Sequence, residues 1–190
     1  MTQLYLVRHG ETAWSRERRH TSVTDLDLTE TGVVQAQALR GRLHPEQFGR
    51  VLCSPRLRAR RTAELAGFDP ARLEITEDLA EWAYGSYEGM TSAEIRAQHP
   101  GWTIWTGHTP GGETPDQVQR RLNRLITAVL AGGGERVICF GHGHALRALA
   151  LTWLGLDLAH GEAFPLETAT VSVLGDYHGS RALLGWNLAV

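Results

Sequence analysis

The sequence predicts an α/β layered fold, and three observations carry that expectation. Short apolar runs alternate with stretches of helical periodicity along the chain. Three of those runs (residues 4–7, 51–53 and 137–140) are continuously apolar, as strands are when helices cover both faces of their sheet. The length, 190 residues with 42% apolar and 21% charged side chains, is enough for one compact domain with a full core (residues 1–190) and rather short for two.

In chain order, the expected strands are 4–7, 51–53, 73–76, 137–140, 170–174 and 182–186. Expected helices are 32–43, 57–66, 92–98, 115–130 and 145–154. The helix at 115–130 has the fullest signature. Thr114 is its N-cap, Pro115 takes the first helical position, and Gln117 completes a capping box. Val118, Leu122, Leu125, Ile126, Val129 and Leu130 then fall on one face, and Gly132-Gly133-Gly134 stops the run. Residues 102–113 are rich in Gly, Thr and Trp without periodicity, which predicts a loop or lid.

Charge and cysteine usage narrow the function classes. Nineteen Lys plus Arg against 21 Asp plus Glu give a formal charge of −2, so no whole-chain attraction to nucleic acid or an anionic membrane is expected. No lysine occurs at all, which excludes a Walker-A phosphate loop and a Schiff-base lysine. Every fixed cation is an arginine, whose planar fork suits bidentate contact with phosphate. Cys53 and Cys139 each sit inside an apolar run and read as small core residues, not as a disulfide or a zinc site. The first residues lead directly into an apolar run too short for a signal peptide, and no stretch approaches the roughly 20 apolar residues of a membrane span. A cytoplasmic protein is the expectation.

The chemistry concentrates at strand ends. Arg8-His9-Gly10-Glu11-Thr12 follows the first strand, where ligands gather in an open α/β sheet. Taken alone, His9 reads as a strand-end histidine bonded to a carbonyl. A second histidine changes that reading: Gly141-His142-Gly143-His144 repeats strand, glycine, histidine, helix. The helix that follows aims its free N–H groups at whatever His142 faces, an anion site in the making. The rival is a metal pair from His142 and His144. Their side chains diverge in a strand-to-helix turn, and no nearby Cys or carboxylate completes a ligand set.

Two further segments join them. Cys53-Ser54-Pro55-Arg56-Leu57-Arg58-Ala59-Arg60-Arg61 puts four arginines at a helix start, a poor place for cations unless an anion offsets them. One turned inward opposite Arg8 would clamp a phosphate, and the others are solvated surface groups. Glu81 lies among aromatic residues in Glu81-Trp82-Ala83-Tyr84-Gly85, where desolvation favours a protonated carboxyl, the form a general acid needs. The set fits phosphoryl transfer through a phosphorylated histidine, with a bell-shaped activity profile centred at mildly acidic to neutral pH.

Taken together, these motifs resemble the histidine phosphatase superfamily, in its phosphoglycerate mutase-like branch, over nearly the whole chain. The resemblance implies a three-layer αβα sandwich around a mostly parallel, mixed sheet. It implies catalytic His9 as the phosphorylated nucleophile, Arg8 and Arg58 as phosphate ligands, Glu81 as proton donor and His142 as the second histidine, with no metal and no cofactor. Ser54-Pro55-x-x-Arg58-Ala59-x-x-Thr62-Ala63 singles out Arg58 from its neighbours. Ser15, Thr21, Ser22 and Gly143 are implied as substrate-binding residues.

Within that branch a phosphatase of small phosphomonoesters is favoured over a phosphoglycerate mutase. The mutases typically read Glu-Arg-His-Tyr-Gly where this chain has Glu81-Trp82-Ala83-Tyr84-Gly85, and their mid-chain insertion is absent at this length. Ser15 stands where they usually have Asn, and Ser22 where they have Gly. Trp14-Ser15 followed by Arg19-His20-Thr21 is similar to the sugar-phosphate and acid phosphatases. A non-catalytic phospho-ligand binder is the remaining alternative. His20, His144, Trp102 and Trp105 are candidates for the pocket mouth, and exposed tryptophans are candidates for a homodimer interface.

Overall fold

The computed structural model describes residues 2–132 and 136–189. Six strands form one sheet in the order β3-β2-β4-β1-β5-β6, where β1 is Gln3–Arg8, β2 Arg50–Cys53, β3 Leu73–Ile75, β4 Arg136–Gly141, β5 Val171–Tyr177 and β6 Ser180–Leu188. β3, β2, β4 and β1 run parallel, while β5 and β6 are antiparallel to their neighbours, so the sheet is mixed.

The continuous apolar runs are explained by burial on both faces. In β4, Val137 and Cys139 join one core cluster and Ile138 and Phe140 the other, following the two-residue period of a strand. The first cluster is closed by α5 (Pro115–Ala131) and α6 (Gly143–Leu154), and the second by α3 (Leu57–Leu65) with Leu39. Both cysteines are free and fully buried, as core residues.

The capping box on α5 forms as expected: Gln117 N donates to Thr114 Oγ1 at 3.3 Å and Thr114 N to Gln117 Oε1 at 2.8 Å. Gly132 is its C-cap, while the Gly133-Gly134 part of the expected stop lies outside the described residues. α4 (Ser92–Gln98) has its expected bounds. α2 (Glu30–Ala38) starts two residues early, on a Thr29 cap, and tightens into a 3₁₀ turn at Leu39–Gly41. A one-turn helix, α1 (Ala13–Arg16), has no counterpart among the expected elements, being too short for periodicity and made by its Thr12–Ser15 capping box. The last two strands outrun their expected ranges because His178 and Gly179, at φ 53° and 84°, form a tight hairpin turn.

Two expectations about tryptophan need correction. Residues 102–113 are a loop but not a lid: Trp102 and Trp105 are 6% and 2% exposed and belong to the core. No tryptophan is exposed: Trp82 and Trp153 are also buried, and Trp14 and Trp186 are half-buried. A dimer interface built on exposed tryptophans therefore has no basis. Among the described residues, no helix is long and apolar enough to cross a membrane.

Candidate active site

The sheet order brings the three motif-bearing strands side by side, and they finish together. Arg8 pairs with Gly141 and Cys53 with Phe140 in register. Beyond that edge, His9 N donates to Gly141 O and Ser54 N to Phe140 O, both at 3.0 Å. His9, His142 and the start of α3 thereby meet, although 132 residues of chain separate the histidines.

Each histidine has a tautomer set by its partner. His9 Nδ1 lies 2.7 Å from Gly10 O. A carbonyl only accepts, so Nδ1 carries the proton and Nε2 keeps its lone pair. Arg58 Nε donates to His142 Nδ1 at 3.2 Å, and His142 Nε2 faces Ser54 Oγ at 2.7 Å. A guanidinium only donates, so His142 carries its proton on Nε2. The rings meet edge-on with centroids 5.2 Å apart. Burial, then the Arg58 and Arg8 charges, holds His9 well below the ordinary histidine value; burial, then chiefly Arg58, does the same for His142.

Arg58 is the arginine of the α3 start that turns inward, with no exposed surface. Besides His142 it grips carbonyls of the 21–24 loop: Nη1 donates to Thr24 O, and Nη2 to Thr21 O and Ser22 O. Glu88 holds the same loop from the other side, accepting from Ser22 N at 2.9 Å, Thr24 N at 3.0 Å and Ser22 Oγ. Burial works against the Glu88 carboxylate, and the hydrogen bonds from Ser22 and Thr24 outweigh it and keep its pKa low. Of the neighbours, Arg60 is exposed, Arg61 faces Asp27 and Glu64 at 3.8 and 3.6 Å, and Arg56 lines a separate cavity of about 260 Å³.

Glu81 is buried, with backbone partners that the sequence did not show. The residue is 7% exposed, and its carboxyl group meets both the Tyr84 side chain and a set of backbone N–H groups. Ala145 N donates to Oε1 at 2.8 Å, His144 N to Oε2 at 3.1 Å and Trp82 N to Oε1 at 2.9 Å. The N-terminus of α6, expected to serve an anion facing His142, holds this carboxyl group.

Arg8, His9, Glu81, Gly143, Ser15 and Thr21 all line one cavity of about 530 Å³, with Arg58 and His142 fully buried behind it. Arg8 donates through Nη1 to Leu166 O, while its Nε is buried without a partner. Gly143 lies against that guanidinium, since a Cβ there would sit 3.4 Å from Arg8 Nε. Ser15 uses its hydroxyl in the α1 cap, and Thr21 donates to Arg19 O at 3.0 Å. Ser22 does not line this cavity, its hydroxyl being engaged by Glu88. His20 and His144 line it, and the tryptophans stand behind them, Trp102 at 5.6 Å from His20 and Trp105 at 5.3 Å from His144.

His142 and His144 point apart, His142 to Ser54 and His144 Nδ1 to Tyr84 Oη at 2.6 Å. Among the described residues, no group of three His, Cys, Asp or Glu side chains is placed to hold a metal ion. Three polar contributors escaped the sequence reading: Ser54, Glu88 and Arg147. Ser54 stands inside a motif already singled out, Glu88 lies three residues beyond another, and Arg147 follows Gly143 by one helical turn.

Known proteins resemble this chain over most of its length. An acid phosphatase of Mycobacterium tuberculosis is 44% identical over 185 residues, covering 95% of this chain and 90% of that protein. A sedoheptulose 1,7-bisphosphatase of Saccharomyces cerevisiae is 36% identical over 187 residues, covering 80% of this chain and 68% of that one. A solved Mycobacterium tuberculosis open-reading-frame product superposes with a TM-score of 0.93 at 40% identity, covering 99% of this chain and 98% of its own. With residues 4–189 matching the family as well, the chain belongs to the histidine phosphatase superfamily, branch 1.

Proposed function

We propose that this chain hydrolyses small phosphomonoesters in two steps through phosphohistidine on His9. The observation that carries the proposal is the His9 tautomer: Nδ1 is committed to Gly10 O, so Nε2 is the lone pair at a cavity with arginine beside it. Low basicity keeps that nitrogen unprotonated near neutral pH. The incoming phosphate lies against Arg8, which lines the cavity, and Arg58 neutralises charge from beneath.

His9 Nε2 attacks phosphorus as the ester P–O bond breaks, and a protonated Glu81 gives its proton to the departing alkoxide. Water then loses a proton to Glu81 and attacks the phosphohistidine. The P–N bond breaks, inorganic phosphate leaves, and Glu81 is protonated again. His142 holds Arg58 in place, and Thr21, Ser15 and the Gly143 backbone border the leaving group. The named activities of the relatives support a phosphoric monoester hydrolase, and a sugar phosphate or similar metabolite suits the cavity volume. A cytoplasmic location is part of the proposal; it is supported by two buried free thiols, with burial pushing Cys53 up to about 12.

The test is phosphate release from 3-phosphoglycerate and a panel of sugar phosphates, with and without chelator. Free phosphate that persists in chelator, an acid-labile phosphoprotein, and loss of both in His9→Ala are expected. Activity that vanishes in chelator yet survives His9→Ala would overturn the scheme. Conversion of 3-phosphoglycerate to 2-phosphoglycerate without phosphate release would make the chain a mutase.

A further inference from the structure

The segment Arg58-Ala59-Arg60-Arg61-Thr62 supplies Arg58 to the site and ends in a threonine that the reaction has not used. Arg58 and Thr62 stand one turn apart on α3, so both fall on its buried face together with Ala59 and Ala63. Neither has any exposed surface.

The Thr62 hydroxyl bonds in two directions. It donates to Arg58 O at 2.7 Å and accepts from Gly10 N at 3.0 Å, across 52 positions of chain. The first bond is a local habit of threonine in helices and selects one of its two rotamers. The second bond is not local. With its single proton committed to the Arg58 carbonyl, the oxygen turns only lone pairs toward the Gly10 N–H. One oxygen atom thus ties the backbone of the inward arginine to the turn that carries His9.

Gly10 is where the tautomer of the nucleophile is decided. Its carbonyl accepts from His9 Nδ1 at 2.7 Å, and its N–H and C=O flank the same Cα. Anchoring the N–H therefore restricts where the carbonyl can aim. Glycine needs such an anchor more than other residues do, having no Cβ to limit φ and ψ. Gly10 also packs on the backbone of Gly32, where a Cβ would come 2.4 Å from the Gly32 oxygen. That packing limits how near α2 can come, while the Thr62 hydrogen bond supplies direction.

We infer that Thr62 is a positioning residue for the nucleophile. Its hydroxyl fixes the Gly10 turn so that His9 keeps its proton on Nδ1 and presents Nε2 to phosphorus, in register with Arg58. The inference rests on the phosphohistidine reading of His9, and its first readout does not depend on turnover.

Imidazole 15N NMR at pH 7 reads the tautomer, with His9→Gln protein used to assign the His9 signals. Wild type is expected to show His9 with its proton on Nδ1 alone. Thr62→Val keeps the branched shape and removes the oxygen, leaving a buried N–H without an acceptor. A mixture of both His9 tautomers is expected in that variant, with phosphoenzyme formation from 4-nitrophenyl phosphate slowed roughly tenfold or more. Thr62→Cys, whose thiol is a weak acceptor, takes its place if valine prevents folding, with the same expected outcome. Thr62→Ser restores the hydroxyl without the methyl group and is expected to recover the single tautomer and most of the rate. A merely structural role would lower the melting temperature of Thr62→Val and leave the tautomer and rate of the folded protein as in wild type, which would overturn the inference. So would a mixed tautomer and slow phosphoenzyme formation in Thr62→Ser, since the methyl group and not the hydroxyl would then hold the turn. Tautomers that behave as expected in a protein that releases no phosphate from any ester would overturn the hydrolase reading alone.

Discussion

Two neutral imidazoles, 5.2 Å apart and in opposite tautomers, define the chemistry at the residue scale. The Gly10 carbonyl fixes the proton of His9 on Nδ1, and the Arg58 guanidinium fixes that of His142 on Nε2. Ser54 completes the second arrangement as acceptor at 2.7 Å. Ser54→Ala leaves a buried N–H without a partner, so a loss of about 1–3 kcal/mol in urea unfolding is expected. An unchanged midpoint would remove Ser54 from the network. Glu88 acts at one remove, as a positioning residue that anchors the loop whose carbonyls aim Arg58. Glu88→Gln removes its charge and is expected to lower kcat roughly ten- to hundredfold through misplaced catalytic groups. A merely structural role would lower the melting temperature and leave kcat of the folded enzyme intact; Glu88→Asp, which keeps the charge, should recover part of kcat. The histidines and Arg58 were legible because chemistry of this type is carried by short motifs. The use of Ser22 was not, because its hydroxyl turns to a carboxylate 66 positions away.

At the scale of elements, the site exists because β2, β4 and β1 are adjacent, parallel and end at one edge. Their burial on both faces wrote itself into the sequence as unbroken apolar runs, which is why these strands and the capped α5 could be read directly. The one-turn α1 could not, since a single turn has no period, and neither could the N–H groups around Glu81, which depend on how α6 docks. α2 is tied to the His9 turn by a contact that only glycine permits. A Cβ on Gly32 would lie 2.1 Å from Glu11 O, and one on Gly10 would lie 2.4 Å from Gly32 O. Because backbone atoms make the clash, one of the two elements must move. Gly32→Ala is therefore expected to destabilise by about 1–3 kcal/mol, and to reduce turnover as well because the displaced turn carries His9. Thermal unfolding and kcat measured on the same preparation check both parts. A variant with unchanged values of each would show that the contact is slack.

Over the whole molecule, keeping catalytic histidines neutral has a consequence for stability. Burial is the largest influence on His9, His20, His142 and His144, and it lowers all four. Their unfolded counterparts titrate near 6.5, so below that pH the unfolded chain binds protons that the folded chain refuses. Stability from these groups is complete above about pH 6.5 and declines as pH falls toward the lowered folded values, which for His20 means toward about 4. Each such group contributes a slope of up to about 1.4 kcal/mol per pH unit. The same shift leaves His9 nucleophilic in mild acid, so the acid limb of kcat/KM is expected below the ordinary histidine value and not at it. Activity and stability should then diverge: from pH 7 to pH 5.5 the melting temperature falls while turnover is largely kept. His20→Gln, which removes one of the four protonation sites without touching His9, should flatten the fall in melting temperature. A melting temperature that stays level or rises on acidification, in wild type and variant alike, would show that these imidazoles accept protons in the folded state, and with that His9 would lose its claim to be a free nucleophile at acidic pH.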